Sequence, residues 1–139
     1  MFRPFDPSNF ENYDDRDISD FNIFLDIQQR TLSMYDESGK LKILYMTGAL
    51  FNLFMKLMEN HRNHYIPTQK ITNDLKYGDS STNADGTKKY SGTNTVHKYI
   101  RRINKKSKED LGMEIIEGEF GRGYRLIYKT EEIFLNPEL

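Results

Sequence analysis

From Lys88 to Lys108 the chain carries eight Lys or Arg and no Asp or Glu. Within that run Val96, Tyr99, Ile100 and Ile103 recur at i, i+3, i+4 and i+7, the spacing of one helical face. Each helical residue advances by about 100°, so Asn94, His97, Lys98, Arg101 and Lys105 fall opposite that stripe. Arg102 and Lys106 flank them. Such a helix buries one side in a core and offers a broad cationic side to water or to an anionic partner. A helix held by its own surface pairs would interleave Glu with Lys, and this one does not. A lone basic run is most often a solvated face. Here it is joined to an apolar stripe in register and to a glycine-rich segment downstream.

That segment, Glu117-Gly118-Glu119-Phe120-Gly121-Arg122-Gly123, is the expected tip of a hairpin. Met113 to Ile116 and Tyr124 to Tyr128 read as its strands. Upstream, Pro67-Thr68 opens a short helix to about Leu75, with Ile71 and Leu75 facing inward. Thr47 can cap a further helix running from Ala49 to Asn60. Leu50, Phe51, Phe54, Leu57 and Met58 lie at helical spacing there, and Leu53 and Met55 widen the stripe, so this helix should be buried on several sides. Earlier still, Phe21, Ile23, Leu25 and Ile27 alternate as in a strand. Leu32 with Met34, and Leu41 to Tyr45, make two more strands around the turn Asp36-Glu37-Ser38-Gly39. Lys76 to Gly92 has almost no apolar content and reads as a long loop, of the length usually associated with function or disorder.

The order is sheet, helix, helix, long loop, helix, hairpin. It predicts an α+β domain: a winged helix-turn-helix with an N-terminal antiparallel sheet, three helices and a C-terminal β-hairpin wing. Residues 1–20 are expected to be an acidic extension, 21–129 the DNA-binding domain and 130–139 a short C-terminal tail. Phe2, Phe5, Phe10 and Tyr13 are many aromatics for a pure linker, so part of the extension is expected to dock on the core.

The formal net charge is −1, which hides a dipole. Residues 1–40 hold four Lys/Arg against nine Asp/Glu, whereas 61–108 hold eleven against three Asp. The distribution, not the sum, bears on nucleic-acid binding. The absence of cysteine excludes disulfides and thiolate zinc sites. No run approaches the roughly 20 apolar residues of a membrane span, and the N-terminus lacks a signal-peptide core. A cytoplasmic, nucleoid-associated protein is the expectation.

The stretch TNTVHKYIRRINKK followed by EFGRGYRLIY resembles the effector domain of OmpR/PhoB-type response regulators. Thr95, Val96, Ile100, Arg102, Ile103 and Lys105 match that family's recognition-helix pattern. Gly121, Gly123, Tyr124, Arg125 and Leu126 match its wing, and Met46-Thr47 with the following helix resembles its first helical segment. The resemblance spans about Phe21 to Tyr128. It implies a four-stranded N-terminal sheet, a third helix in the DNA major groove and a wing at the adjacent minor groove. It further implies head-to-tail pairing on direct repeats and a loop, here Lys76 to Gly92, that can touch RNA polymerase. The sequence departs from the pattern at Phe120, where the family has a basic residue, and at His97 and Lys98. No phosphorylated receiver domain is expected ahead of the first strand, so control would come from a partner, from abundance or from a longer parent chain.

The DNA-contacting residues expected from helix and wing together are Asn94, Thr95, His97, Lys98, Arg101, Arg102, Lys105, Lys106, Arg122, Tyr124 and Arg125. Lys and Arg neutralise phosphates and release counterions. Arg101 has the geometry for a guanine edge and Asn94 for adenine. Sequence-specific binding of double-stranded DNA as a bacterial transcription regulator is the leading expectation. Its rival is a winged-helix protein-interaction module that binds RNA polymerase or another regulator. No cofactor, metal or enzymatic activity is expected. His61 and His64 lack further ligands, Asn83 to Gly86 matches a calcium loop only faintly, and Asp14, Asp15 and Asp17 form a solvated acidic run.

Overall fold

In the computed structural model, residues 21–59 and 64–136 are described. The expected acidic extension at 1–20, and His61 of the histidine pair, lie outside them. Three strands open the fold: β1 (Ile23–Asp26), β2 (Thr31–Tyr35) and β3 (Leu41–Tyr45). Helices α1 (Gly48–Met58) and α2 (Thr68–Leu75) follow, then the hairpin β4 (Ser80–Thr82) and β5 (Lys88–Tyr90). Helix α3 (Thr93–Leu111), the hairpin β6 (Ile116–Glu119) and β7 (Gly123–Leu126), a 3-10 turn and β8 (Ile133–Asn136) complete it.

The first sheet has the order β3-β2-β1-β8. Its first three strands are antiparallel, as the alternation predicts, but β8 lies parallel to β1, with Ile23 opposite Ile133 and Asp26 opposite Asn136. The sheet is therefore mixed, and its fourth strand comes from the C-terminal end. The segment expected to be a short tail supplies that strand, because Ile133 and Phe134 are almost wholly buried. β1 is buried at every position for the same reason: Leu25 faces the helices while Phe24 packs with Phe134 on the other face. On that other face the Phe21 and Phe134 rings meet edge-on with centroids 5.5 Å apart.

The helices close the main core over Leu25, Leu32, Leu44 and Ile133. α1 buries Leu50, Phe51, Leu53, Phe54 and Leu57, which confirms its wide stripe. α3 buries Val96, Ile100, Ile103 and Leu111. No side-chain hydrogen bond caps its N-terminus, while Gly112 ends it in the left-handed conformation at φ 85°. Each buried aliphatic side chain contributes about 1.5–3 kcal/mol, against about 1 kcal/mol for a cap, so packing rather than capping holds α3 in place.

The connection from α2 to α3, read from sequence as a loop, is the β4–β5 hairpin. Lys76 leaves α2 in the left-handed region at φ 56°, and the Gly92 amide then donates to the Tyr77 carbonyl at 2.9 Å. The chain thus returns to where it left. A Cβ on Gly92 would sit 2.5 Å from that carbonyl carbon and oxygen, so only glycine permits the closure. Gln69 donates to the Tyr90 carbonyl at 2.8 Å, and the Tyr90 amide donates to Asn73 Oδ1 at 2.9 Å. Functionally the α2–α3 turn is short, with 78–91 projecting from it.

Candidate nucleic-acid interface

Opposite its buried stripe, α3 exposes Asn94, Lys98, Arg101, Arg102 and Lys105, with Thr95, His97 and Lys106 half-buried at the margins. Among the described residues, none of its cations from Lys98 to Lys106 stands in an ion pair. Glu109 lies four residues after Lys105 without bridging it, an order less favourable on a helix than Glu before Lys. Arg102 lies 5.7 Å from the centroid of the Tyr99 ring. The face is a continuous positive surface.

Three tethers fix the β6–β7 hairpin, two of them to this helix and one to the segment ahead of α2. Asn104, on α3, accepts from the amides of Ile115 at 3.2 Å and Ile116 at 3.0 Å. Its Nδ2 donates to the Ile116 carbonyl at 2.9 Å. Ile66, just ahead of α2, exchanges two backbone hydrogen bonds with Tyr124 at 2.8 and 3.0 Å. Finally, His97 Nδ1 and the Tyr124 hydroxyl are hydrogen-bonded, with ring centroids 5.6 Å apart. Burial pushes the Tyr124 hydroxyl's pKa up, and the Arg101 charge partly offsets that. His97 and Tyr124, both expected to face DNA, thus spend their polar ends on each other.

Glycines make these contacts sterically feasible. A Cβ on Gly123, whose φ is 113°, would lie 1.9 Å from the Ile66 carbonyl oxygen. A Cβ on Gly118 would lie 2.7 Å from the Tyr124 ring, so that glycine lets the ring cross β6 toward His97.

The hairpin's own cations are placed differently. Arg125 bridges Glu117 at 3.1 Å, and its guanidinium carbon sits 4.3 Å from the Tyr65 ring centroid. Arg122 stacks on the same ring at 4.8 Å and lies 3.5 Å from Glu119. The Tyr65 hydroxyl, then Arg125, hold the Glu117 carboxyl below the usual glutamate range. Tyr65, Glu117, Glu119 and Asn104 were not anticipated from sequence. The hairpin register, which sets Glu117 directly opposite Arg125, is the signal that finds the first pair.

Between α3 and the hairpin lies an open cleft of about 620 Å³, lined by Pro67, Thr68, His97 and residues 118–124. Phe120 stands on its rim, fully exposed. No protein-family model matches the chain, and no curated protein sequence does. Among solved structures, it is similar to the DNA-binding domain of the response regulator AdeR, crystallised in complex with an intercistronic region. The TM-score is 0.55 at 18% identity, over 76% of this chain and 93% of that one. This likeness shows a shared fold: a mixed α+β domain with three helices and several strands. Among the described residues, no helix is long and apolar enough to cross a membrane.

Proposed function

We propose that the chain binds double-stranded DNA as a winged helix-turn-helix, with α3 as recognition helix and the β6–β7 hairpin as wing, and that it regulates transcription. The observation that carries this reading is the exposed cationic face formed by Lys98, Arg101, Arg102 and Lys105, which no carboxylate among the described residues pairs. A helix of this width fits the major groove, and its cations neutralise phosphates there. The shared fold with a DNA-binding domain supports it. The role is one of binding rather than catalysis. Contact with RNA polymerase through 76–92 and pairing of two copies belong to the same proposal.

The test is binding to random-sequence duplex DNA across a salt series, for the wild type and a Lys98/Arg101/Arg102 triple alanine variant. The expected wild-type affinity falls steeply with salt, and the variant's slope is shallower by about 0.9 for each phosphate contact removed. A second reading, a winged helix turned to protein partners, is favoured by the pairing of Arg122 and Arg125 with hairpin glutamates. Failure of the wild type to bind duplex DNA even at low salt would establish that reading instead.

A further inference from the structure

We propose that Phe120 is a wedge: the hairpin tip inserts this ring between base pairs from the minor-groove side and bends the duplex. The inference rests on the DNA-binding reading above and assigns a role that the cationic face does not supply.

Phe120 has a relative exposure of 104%, while the other exposed large apolar side chains among the described residues, Tyr35 and Met113, stand at 40% and 37%. It sits in the turn between β6 and β7, followed by Gly121 at φ 79°, where a Cβ would meet nothing within 4 Å. A lone exposed apolar side chain is ordinary on a protein surface, so what marks this ring is its place: it is wholly uncovered and stands at the rim of the cleft beside α3. The chemistry around it narrows the partner. Arg122 and Glu119 pair on either side, so the tip has no net formal charge around its aromatic ring. A wing that reads the minor groove by charge needs a free arginine, and both hairpin arginines are held over Tyr65. Proteins that enter the minor groove also use apolar side chains, Phe among them, to unstack a base step and kink the helix.

The position suits that use. Asn104 and the His97–Tyr124 pair fix the hairpin to α3, and Ile66 fixes it to the segment ahead of α2, so the ring keeps a set offset from Lys98 and Arg101. With α3 in the major groove, the open cleft between helix and hairpin takes the intervening phosphate strand, and the tip falls on the neighbouring groove. The exposed cations Lys98 and Arg101 follow His97, which lines the cleft, on the same helix, and that charge favours an anionic polymer over a neutral protein.

The experiment uses the full chain and a short duplex that it enriches from random DNA, with dyes at both ends and 2-aminopurine replacing adenines across the enriched site. Wild-type binding should raise 2-aminopurine fluorescence and shorten the end-to-end distance. Phe120→Ala should abolish both and weaken binding roughly ten-fold, by loss of ring–base stacking, with the salt slope unchanged. Phe120→Leu, which keeps an apolar wedge, should recover part of the bend. A fully exposed side chain is not needed for folding, so neither variant should lower thermal stability. Wild-type binding without bend or fluorescence change overturns the wedge and leaves the DNA reading intact. Bending retained in Phe120→Ala does the same. Loss of self-association in that variant, with DNA binding and bending unaltered, gives the ring to a second copy and overturns the wedge. Absence of any wild-type binding overturns both readings.

Discussion

Helix α3 and the β6–β7 hairpin both carry arginines, and both lie along the same cleft. On α3, Lys98, Arg101, Arg102 and Lys105 are exposed, with no acid bridging them among the described residues, and none occurs between Lys88 and Lys108. On the hairpin, Glu117 stands opposite Arg125 across the strands, and Glu119 stands three residues before Arg122 across the turn. The helix therefore projects a field and the hairpin cancels its own. Charge composition already separates the two segments, since two glutamates match the hairpin's two arginines; register shows which pairs form. A phosphate approaching α3 meets unpaired donors, whereas one approaching the hairpin must first compete with a carboxylate.

The strongest way to break this comparison is to detach the hairpin from the helix. Gly123→Ala places a Cβ 1.9 Å from the Ile66 carbonyl oxygen at φ 113°, so the backbone must shift. The expected cost is about 3 kcal/mol, the upper range for backbone strain, with loss of the two Ile66–Tyr124 hydrogen bonds. Chemical denaturation would measure it. Because α3 is tied to the hairpin through Asn104 and His97 as well, unfolding should remain a single transition of lowered midpoint. Two separate transitions would show that hairpin and helix are independent units, and the fixed offset between them would be lost as an argument.

Much of this geometry was legible in the sequence, because the strongest signals were local and periodic. The stripe on α3 and the wide stripe on α1 follow from burial at helical spacing. What escaped reading has a common physical cause. β8 pairs with β1 across more than a hundred residues of chain, and Ile133-Phe134-Leu135 has no alternation because both faces of that strand are covered. β4 and β5 fail in the opposite way. Nearly all their residues are exposed, so no hydrophobic pattern marks them, although Asp85-Gly86 is a turn signal and Gly86 takes φ 86°. Among site residues, α3's outward face was legible from its angular spacing. The tethers were not, since Asn104 and Tyr65 act through partners that only the tertiary fold brings near.

A milder change sharpens the comparison without disturbing the fold. Glu117→Gln with Glu119→Gln keeps the side-chain shapes and removes the charges that hold Arg125 and Arg122. The two guanidiniums then become available to phosphate. Affinity for duplex DNA at low salt should rise several-fold, and the salt slope should steepen by about 0.9 for each arginine that reaches the backbone. An unchanged slope would mean that the hairpin arginines do not approach DNA even when freed. The hairpin's contribution would then reduce to its apolar tip.

The smallest expected effect tests what holds Glu117 charged. Its folded pKa is lowered, first by the Tyr65 hydroxyl and then by Arg125. A depressed carboxylate contributes stability that is present above its unfolded pKa and is lost as pH falls through the folded one. Near neutrality the pairing is therefore intact, and it weakens only in acid, where protonated Glu117 releases Arg125. Tyr65→Phe keeps the ring under both guanidiniums but removes the hydroxyl, so Glu117 should titrate at a higher pH, closer to an ordinary glutamate. Side-chain carboxyl chemical shifts followed through an acid titration would show it. Arg125 remains in place in that variant, so the return should be incomplete. A Glu117 titration that does not move would assign the depression to Arg125 alone. The cancellation of charge on the hairpin would then depend on the cross-strand pair, with Tyr65 acting only as a platform for the two guanidiniums.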